Sequence, residues 1–171
     1  MLEGKKILLR AWREEDLDTL GVLRNNVALQ SMLITQARPN SSERLQRWLV
    51  DKTASEDALF FIVAQRSTQQ CFGYVQLSNM QLLHGTADLG ICLAPAAQHQ
   101  GVGQEALTLL EGYARRVFAL RKIILQVLSD NHGAIRFYAR LGFSEVGCLR
   151  EHVFVDGAYR DVLIMEKRLA S

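Results

Sequence analysis

Proline is almost absent from this chain, with Pro39 and Pro95 the only two in 171 residues, and neither lies in a long linker. Low-complexity tracts and internal repeats are also missing, so the chain is read as one domain, residues 1–171, long enough to bury a core. No apolar run approaches the ~20 residues that a membrane span needs. Lys5 and Lys6 near the start are not followed by the hydrophobic segment of a secretory signal. Charge of either sign is not in excess: 20 Lys and Arg against 18 Asp and Glu leave +2, whereas a dedicated nucleic-acid binder carries a strong basic surplus. Cysteine is scarce and odd in number. Cys71, Cys92 and Cys148 lie far apart in apolar runs and read as buried, reduced thiols of a cytoplasmic protein, not a disulfide framework. His84, His132 and His152 are too scattered for a metal site, and no metal is expected.

What is present is a globular composition, 49% apolar and 22% charged. Ile7 to Arg10 reads as a first strand. The acidic run Glu14-Glu15-Asp16 then precedes Leu17, Leu20 and Leu23, as in a helix whose start is favoured by the macrodipole. Gln36 to Ser42 is the most loop-like stretch, and Leu45, Trp48 and Leu49 mark a second helix. The period then changes. Ala58 to Ala64 and Cys71 to Leu77 read as paired strands, Asp88 to Leu93 as a third. Gly103 to Leu120 is a long amphipathic helix with Leu107, Leu110, Tyr113, Ala114 and Val117 on one face. Lys122 to Val127 is a strand, His132 to Leu141 a short helix closed by Gly142, and Asp156-Gly157 turns a final hairpin. The order implies an α+β fold: a mixed, mostly antiparallel sheet flanked by helices, with one parallel crossover around the long helix.

The informative segment runs from Leu93 to Ala106. Gly101 and Gly103 at a helix start let the backbone approach a ligand, and the free N–H groups of the first turn favour a phosphate. Gly101-Val-Gly103-Gln-Glu-Ala106 matches the dinucleotide fingerprint in form, yet the following strand offers only Gln126 where an acidic residue belongs. A Walker-type loop is excluded because no Lys-Ser or Lys-Thr follows Gly103.

Gln98-x-x-Gly101-x-Gly103 resembles the pyrophosphate-binding signature of the GNAT N-acetyltransferases. Asn131-x-x-Ala134-x-x-x-Tyr138-x-x-x-Gly142-Phe143 resembles that family's second motif at its usual distance. Leu8-Leu-Arg10, Arg13 to Leu17 and Phe154-x-x-Gly157-x-Tyr159-x-Asp161 look like the branch that includes ribosomal-protein N-terminal, spermidine and amino-sugar acetyltransferases. The resemblance covers most of the chain and is weakest from Gln30 to Asp57. It departs from many relatives at His99, where they carry Gly.

The resemblance implies the acyl-CoA N-acyltransferase fold and direct transfer of an acetyl group from acetyl-CoA to a primary amine in a ternary complex. The amine could be a protein N-terminal α-amine, a polyamine or other small amine, or an amino sugar; the rival is a catalytically silent acyl-CoA sensor. Cofactor contacts are expected from Ile91, Cys92, Leu93, Gln98, His99, Gln100, Gly101, Val102, Gly103, Gln104, Asn131, Ala134 and Tyr138. The pantetheine arm would lie where the strand ending at Pro95 bulges and splays, with Ile91 and Leu93 polarising the acetyl carbonyl through main-chain N–H groups. Tyr138 would protonate the leaving thiolate, and Asp88 is the candidate base. Cys92 has no evident His partner for nucleophilic catalysis. Expected partners are the acceptor and a second copy in a homodimer, with no nucleic acid and no membrane.

Overall fold

The computed structural model describes residues 1–169. One eight-stranded sheet runs through it in the order β1-β2-β3-β4-β5-β6-β8-β7. Its strands are β1 (Leu2–Glu3), β2 (Ile7–Arg10), β3 (Leu59–Gln65), β4 (Cys71–Gln81), β5 (Thr86–Leu93), β6 (Lys122–Leu128), β7 (Ser144–Val155) and β8 (Ala158–Arg168). Every pairing is antiparallel except β5 with β6, the two strands joined by the crossover helix α4 (Val102–Phe118). Helix α5 (His132–Arg140) connects β6 to β7. On the other face lie α1 (Leu17–Asn25), α2 (Val27–Met32) and α3 (Ser42–Ala54).

The sheet is covered on both faces, so inner strands read as continuous apolar runs rather than alternating ones. All four residues of β2 are buried: Ile7 and Leu9 join the core under α4, and Leu8 joins the core under α1 and α3. Leu107, Leu110 and Ala114 bury the inner face of α4, but Val117 is 57% exposed because the helix ends one residue later. The final hairpin turns at Asp156 and Gly157, whose φ values of +50° and +80° suit the right-handed twist of its strands. Helix α2 has no counterpart among the expected elements; Asn26 starts it by accepting from the Leu29 N–H at 3.0 Å. Cys71 and Cys92 are buried and free, whereas Cys148 is only half-buried on β7.

The acidic run before α1 does something other than favour a dipole. Glu14–Asp16 form a 3-10 turn, and Asp16 turns inward, where its two oxygens accept from Arg10 Nη1 and Nη2, each at 2.7 Å. Both side chains are nearly solvent-free, and Asp16 also accepts from the Arg13 N–H at 2.8 Å. Arg10 further donates to the Gln69 carbonyl, so this pair ties β2, the start of α1 and the β3–β4 turn together. Removing one partner of a buried bidentate pair strands the other charge, at about 3–5 kcal/mol. Asp16→Ala is therefore expected to lower unfolding free energy in urea by that amount, and Glu15→Ala, on the exposed side, by under ~0.5 kcal/mol.

Candidate active site

The site begins where one ladder stops. β5 and β6 pair at Thr86–Lys122, Ala87–Ile123 and Asp88–Ile124 and then diverge, while β5 stays paired to β4 as far as Leu93–Gly73. The Ala94 N–H donates to the Phe72 carbonyl at 2.7 Å. Antiparallel alternation then points the N–H groups of Cys92 and Gly90 toward β4, and those of Leu93 and Ile91 into the gap beside β6. The expected bulge in this stretch is absent: Gly90 to Leu93 hold regular register with β4, whose irregularity lies instead between Ser78 and Gln81. The splay comes from divergence alone.

Beyond Leu93 the chain makes a 3-10 turn at Pro95–Ala97 and enters α4 through Gln98 to Gly101. His99 and Gly101 both adopt left-handed backbone, at φ +59° and +79°. The glutamine side chains bond to the protein's own backbone: Gln98 Nε2 donates to the Leu93 carbonyl at 3.0 Å and Gln100 Nε2 to the Ala96 carbonyl at 2.6 Å. His99, Gln100 and Gln104 are exposed, and Val102 is buried in the core. No side chain caps the N-terminus of α4, since its N-cap is Gly101, and the first intrahelical bond is from Glu105 to the Gly101 carbonyl. Three N–H groups, of Val102, Gly103 and Gln104, thus precede the first bonded turn, which is how a helix presents donors to an anion.

The two glycines serve different needs. Gly101 is required by its left-handed backbone. Gly103 is required by packing: a Cβ there would lie 3.0 Å from Phe137 Cζ and 3.5 Å from Leu93 Cδ1. It therefore clears room for α5, a packing need that the spacing alone did not reveal. Beside this turn opens a cavity of about 560 Å³ whose lining includes Lys5, Lys6, Arg66, Gln100 and Val102. Lys6 Nζ donates to the Gln100 carbonyl at 2.9 Å, and Glu105 accepts from the N–H groups of Lys5 and Lys6, so the segment before β2 is fastened to α4. Only tertiary contact brings these cations to the turn, since Lys5 and Lys6 come from the start of the chain and Arg66 from the end of β3.

Helix α5 is placed against the same turn by Phe137. Asn131 starts it, accepting from the Ala134 N–H at 3.1 Å, so capping alone accounts for its side-chain oxygen. Tyr138 packs on Phe137 and Phe143, with ring centroids 5.2 and 5.7 Å away, and burial pushes its hydroxyl up to about 12. Tyr138, Ile91 and Leu93 all pack against the core under α4, on the same side of the sheet.

Asp88, Gly90 and Cys92 project to the opposite face, toward α1 and α3. Asp88 is half-buried at the last paired position before the gap, its carboxylate accepting from Asn79 Nδ2 at 2.8 Å. Cys92 lies against Tyr74, and burial pushes both Cys92 and Cys71 up to about 11. Their thiols stay protonated at neutral pH. Among the described residues no group of three or more His, Cys, Asp and Glu could hold a metal ion.

This geometry has relatives. A family model described as the acetyltransferase (GNAT) domain matches residues 6–144. The chain belongs to the GNAT acetyltransferase family. It is 28% identical over 159 residues to the spermidine N(1)-acetyltransferase of Vibrio cholerae, covering 93% of this chain and 91% of that one. It is also 29% identical over 93 residues to the ribosomal-protein-serine acetyltransferase of Escherichia coli, about half of each chain. The crystal structure of the Vibrio cholerae spermidine N-acetyltransferase in complex with CoA and spermine superposes with a TM-score of 0.88 at 27% identity, over 96% of both chains. Like its family, this chain is an acetyl-CoA-dependent N-acetyltransferase that passes an acetyl group to an amine.

The Gly103 contact makes a packing prediction. Gly103→Val is expected to lower the Tm with no cofactor present, by the ~1–3 kcal/mol that overpacking costs, and Phe137→Ala in the same chain should restore part of the loss. A Gly103→Val protein melting like the wild type would remove the packing explanation.

Proposed function

We propose that the enzyme acetylates a small-molecule amine by direct attack in a ternary complex, with the reaction centred on the open edge of β5. The observation that carries this reading is the pair of N–H groups, on Ile91 and Leu93, facing a gap beside the uncapped start of α4, against which Phe137 of α5 packs. These groups fit an acyl-CoA: the N–H groups of Val102 to Gln104 with Gly101 suit its pyrophosphate, with Lys5, Lys6 and Arg66 adding positive charge nearby. Acetyl-CoA, when bound, supplies the activated acetyl thioester.

The chain's own residues then divide the work. The Ile91 N–H orients and polarises the acetyl carbonyl from a fixed strand, where no reorganisation is needed as charge develops. Tyr138 holds a proton at its hydroxyl for the departing sulfur; a thiol near 8.5 is a stronger acid than this tyrosine, so the transfer depends on the site that encloses both. Asp88, on the acceptor side, is the candidate to take a proton from an amine near 10, directly or through water. Cys92 is a poor nucleophile as a buried, protonated thiol, which favours direct transfer over an acetyl-cysteine. Gln98 and Gln100 shape the turn by binding its backbone, and Asn131 fixes the start of α5. We place the enzyme in the cytoplasm as a homodimer.

Tyr138→Phe keeps the ring and removes the proton. The acid role gives a kcat lower by ~10²-fold with an unchanged acetyl-CoA Kd, whereas a packing role leaves kcat alone. With its hydroxyl raised, Tyr138 stays protonated through alkaline assay conditions, so wild-type kcat should hold level or rise to about pH 10. Acetyl-CoA is expected to raise the Tm by mass action while NADH leaves it unmoved. Equal stabilisation by NADH would count against this cofactor site.

A further inference from the structure

Two buried polar atoms on the α1–α3 face of β4 and β5 have no hydrogen-bond partner: Arg24 Nε and Gln76 Oε1. One is a donor and the other an acceptor. Arg24 ends α1 with its guanidinium 4.2 Å over the Trp48 ring, and among the described residues no carboxylate pairs with it. Trp48 packs edge-on against Tyr74 at 5.5 Å, and Tyr74 is the cross-strand neighbour of Cys92 in the splayed part of β5. Gln76 lies two residues farther along β4, on the same face, directly opposite Gly90. A Cβ at Gly90 would come within 2.9 Å of Gln76 Nε2 and 3.1 Å of its Cγ. Glycine at 90 therefore leaves room for the Gln76 amide to lie over β5.

Unmet buried polar atoms are rare in native proteins, and each carries a desolvation cost. A half-buried guanidinium without a carboxylate is a site for an anion, bound through its fork of donors. It repels a polycation. The neutral amide oxygen of Gln76, two residues beyond Tyr74 on the same face, suits an amine N–H, and both side-chain ends turn about soft terminal torsions without moving backbone. Resting on the small-molecule reading above, we propose that the acceptor carries a carboxylate beside its amine, as an α-amino acid does, with Arg24 binding the carboxylate and Gln76 positioning the amine at the β5 gap. A polyamine has donors only and leaves Arg24 facing like charge.

The test compares free amino acids with the monoamines left by their decarboxylation, and with spermidine, at saturating acetyl-CoA. Wild type should favour its best amino acid over the matching monoamine by at least tenfold in kcat/KM. Arg24→Met, which keeps an apolar stem against Trp48, should erase that ratio by losing activity on the amino acid alone, and Arg24→Lys should recover part of it. Gln76→Met should raise KM for both members of the pair and leave the acetyl-CoA KM unchanged. Thermal melting of each variant establishes that it is folded; since Gln76 Oε1 has no bond to lose, Gln76→Met should melt no lower than wild type. Preference for spermidine or the monoamines, or an Arg24→Met loss equal on both members, would overturn the carboxylate assignment alone. Acetylation confined to peptide or protein N-termini would overturn the small-molecule reading and this inference together.

Discussion

After three paired positions, β5 and β6 have no further use for one another, because each is held by a stronger partner on its other side. β5 keeps an antiparallel ladder with β4 through Leu93, and β6 pairs with β8 along its whole length, from Lys122–Arg168 to Leu128–Val162. The divergence leaves two strand N–H groups, on Ile91 and Leu93, in a gap with no protein acceptor opposite. Backbone donors in such a place need either water or a ligand. Everything else in the site is arranged around that opening. Gln98 folds back to satisfy the Leu93 carbonyl, α4 starts without a side-chain cap, and α5 closes against both through Phe137.

The two faces of the gap are built by separate cores. Ile91, Leu93 and Tyr138 belong with α4 and α5, whereas Cys92, Tyr74 and Trp48 belong with α1 and α3. A change in one wall is thus buffered from the other by the sheet between them. The loop before α3 is tied to the α1–α3 wall: the Asn40 main chain pairs with the Asn25 side chain at both ends, and its own side chain donates to the Arg24 carbonyl.

Local signals in the sequence carried most of the fold. Asp156-Gly157 can turn only one way, and the long apolar stripe of α4 has few readings other than a helix over the sheet. The motif residues also fell on the elements expected for them. What stayed hidden depends on contacts between distant residues. Asp16 looks like one of three equivalent acids until Arg10 is brought beside it. Gly103 looks like Gly101 until Phe137 arrives to occupy the space a Cβ would take. Lys5, Lys6 and Arg66 have no sequence relation to Gly101, and Arg24 and Gln76 belong to no motif.

Charge shows the same limit in another form. A net +2 on 171 residues reads as neutrality, which argues against a nucleic-acid surface and is silent about pockets. In the fold the cations are not spread evenly. Lys5, Lys6 and Arg66 line the cavity by the uncapped α4 terminus, where the helix dipole adds to their field. Arg24 lies on the far face, over Trp48 and beside Tyr74. An enzyme that must draw in a polyphosphate cofactor has reason for the first group. On the reading proposed above, Arg24 is the group that meets the acceptor's carboxylate, and desolvating one cation beside another is the cost that separates such an acceptor from a polycation.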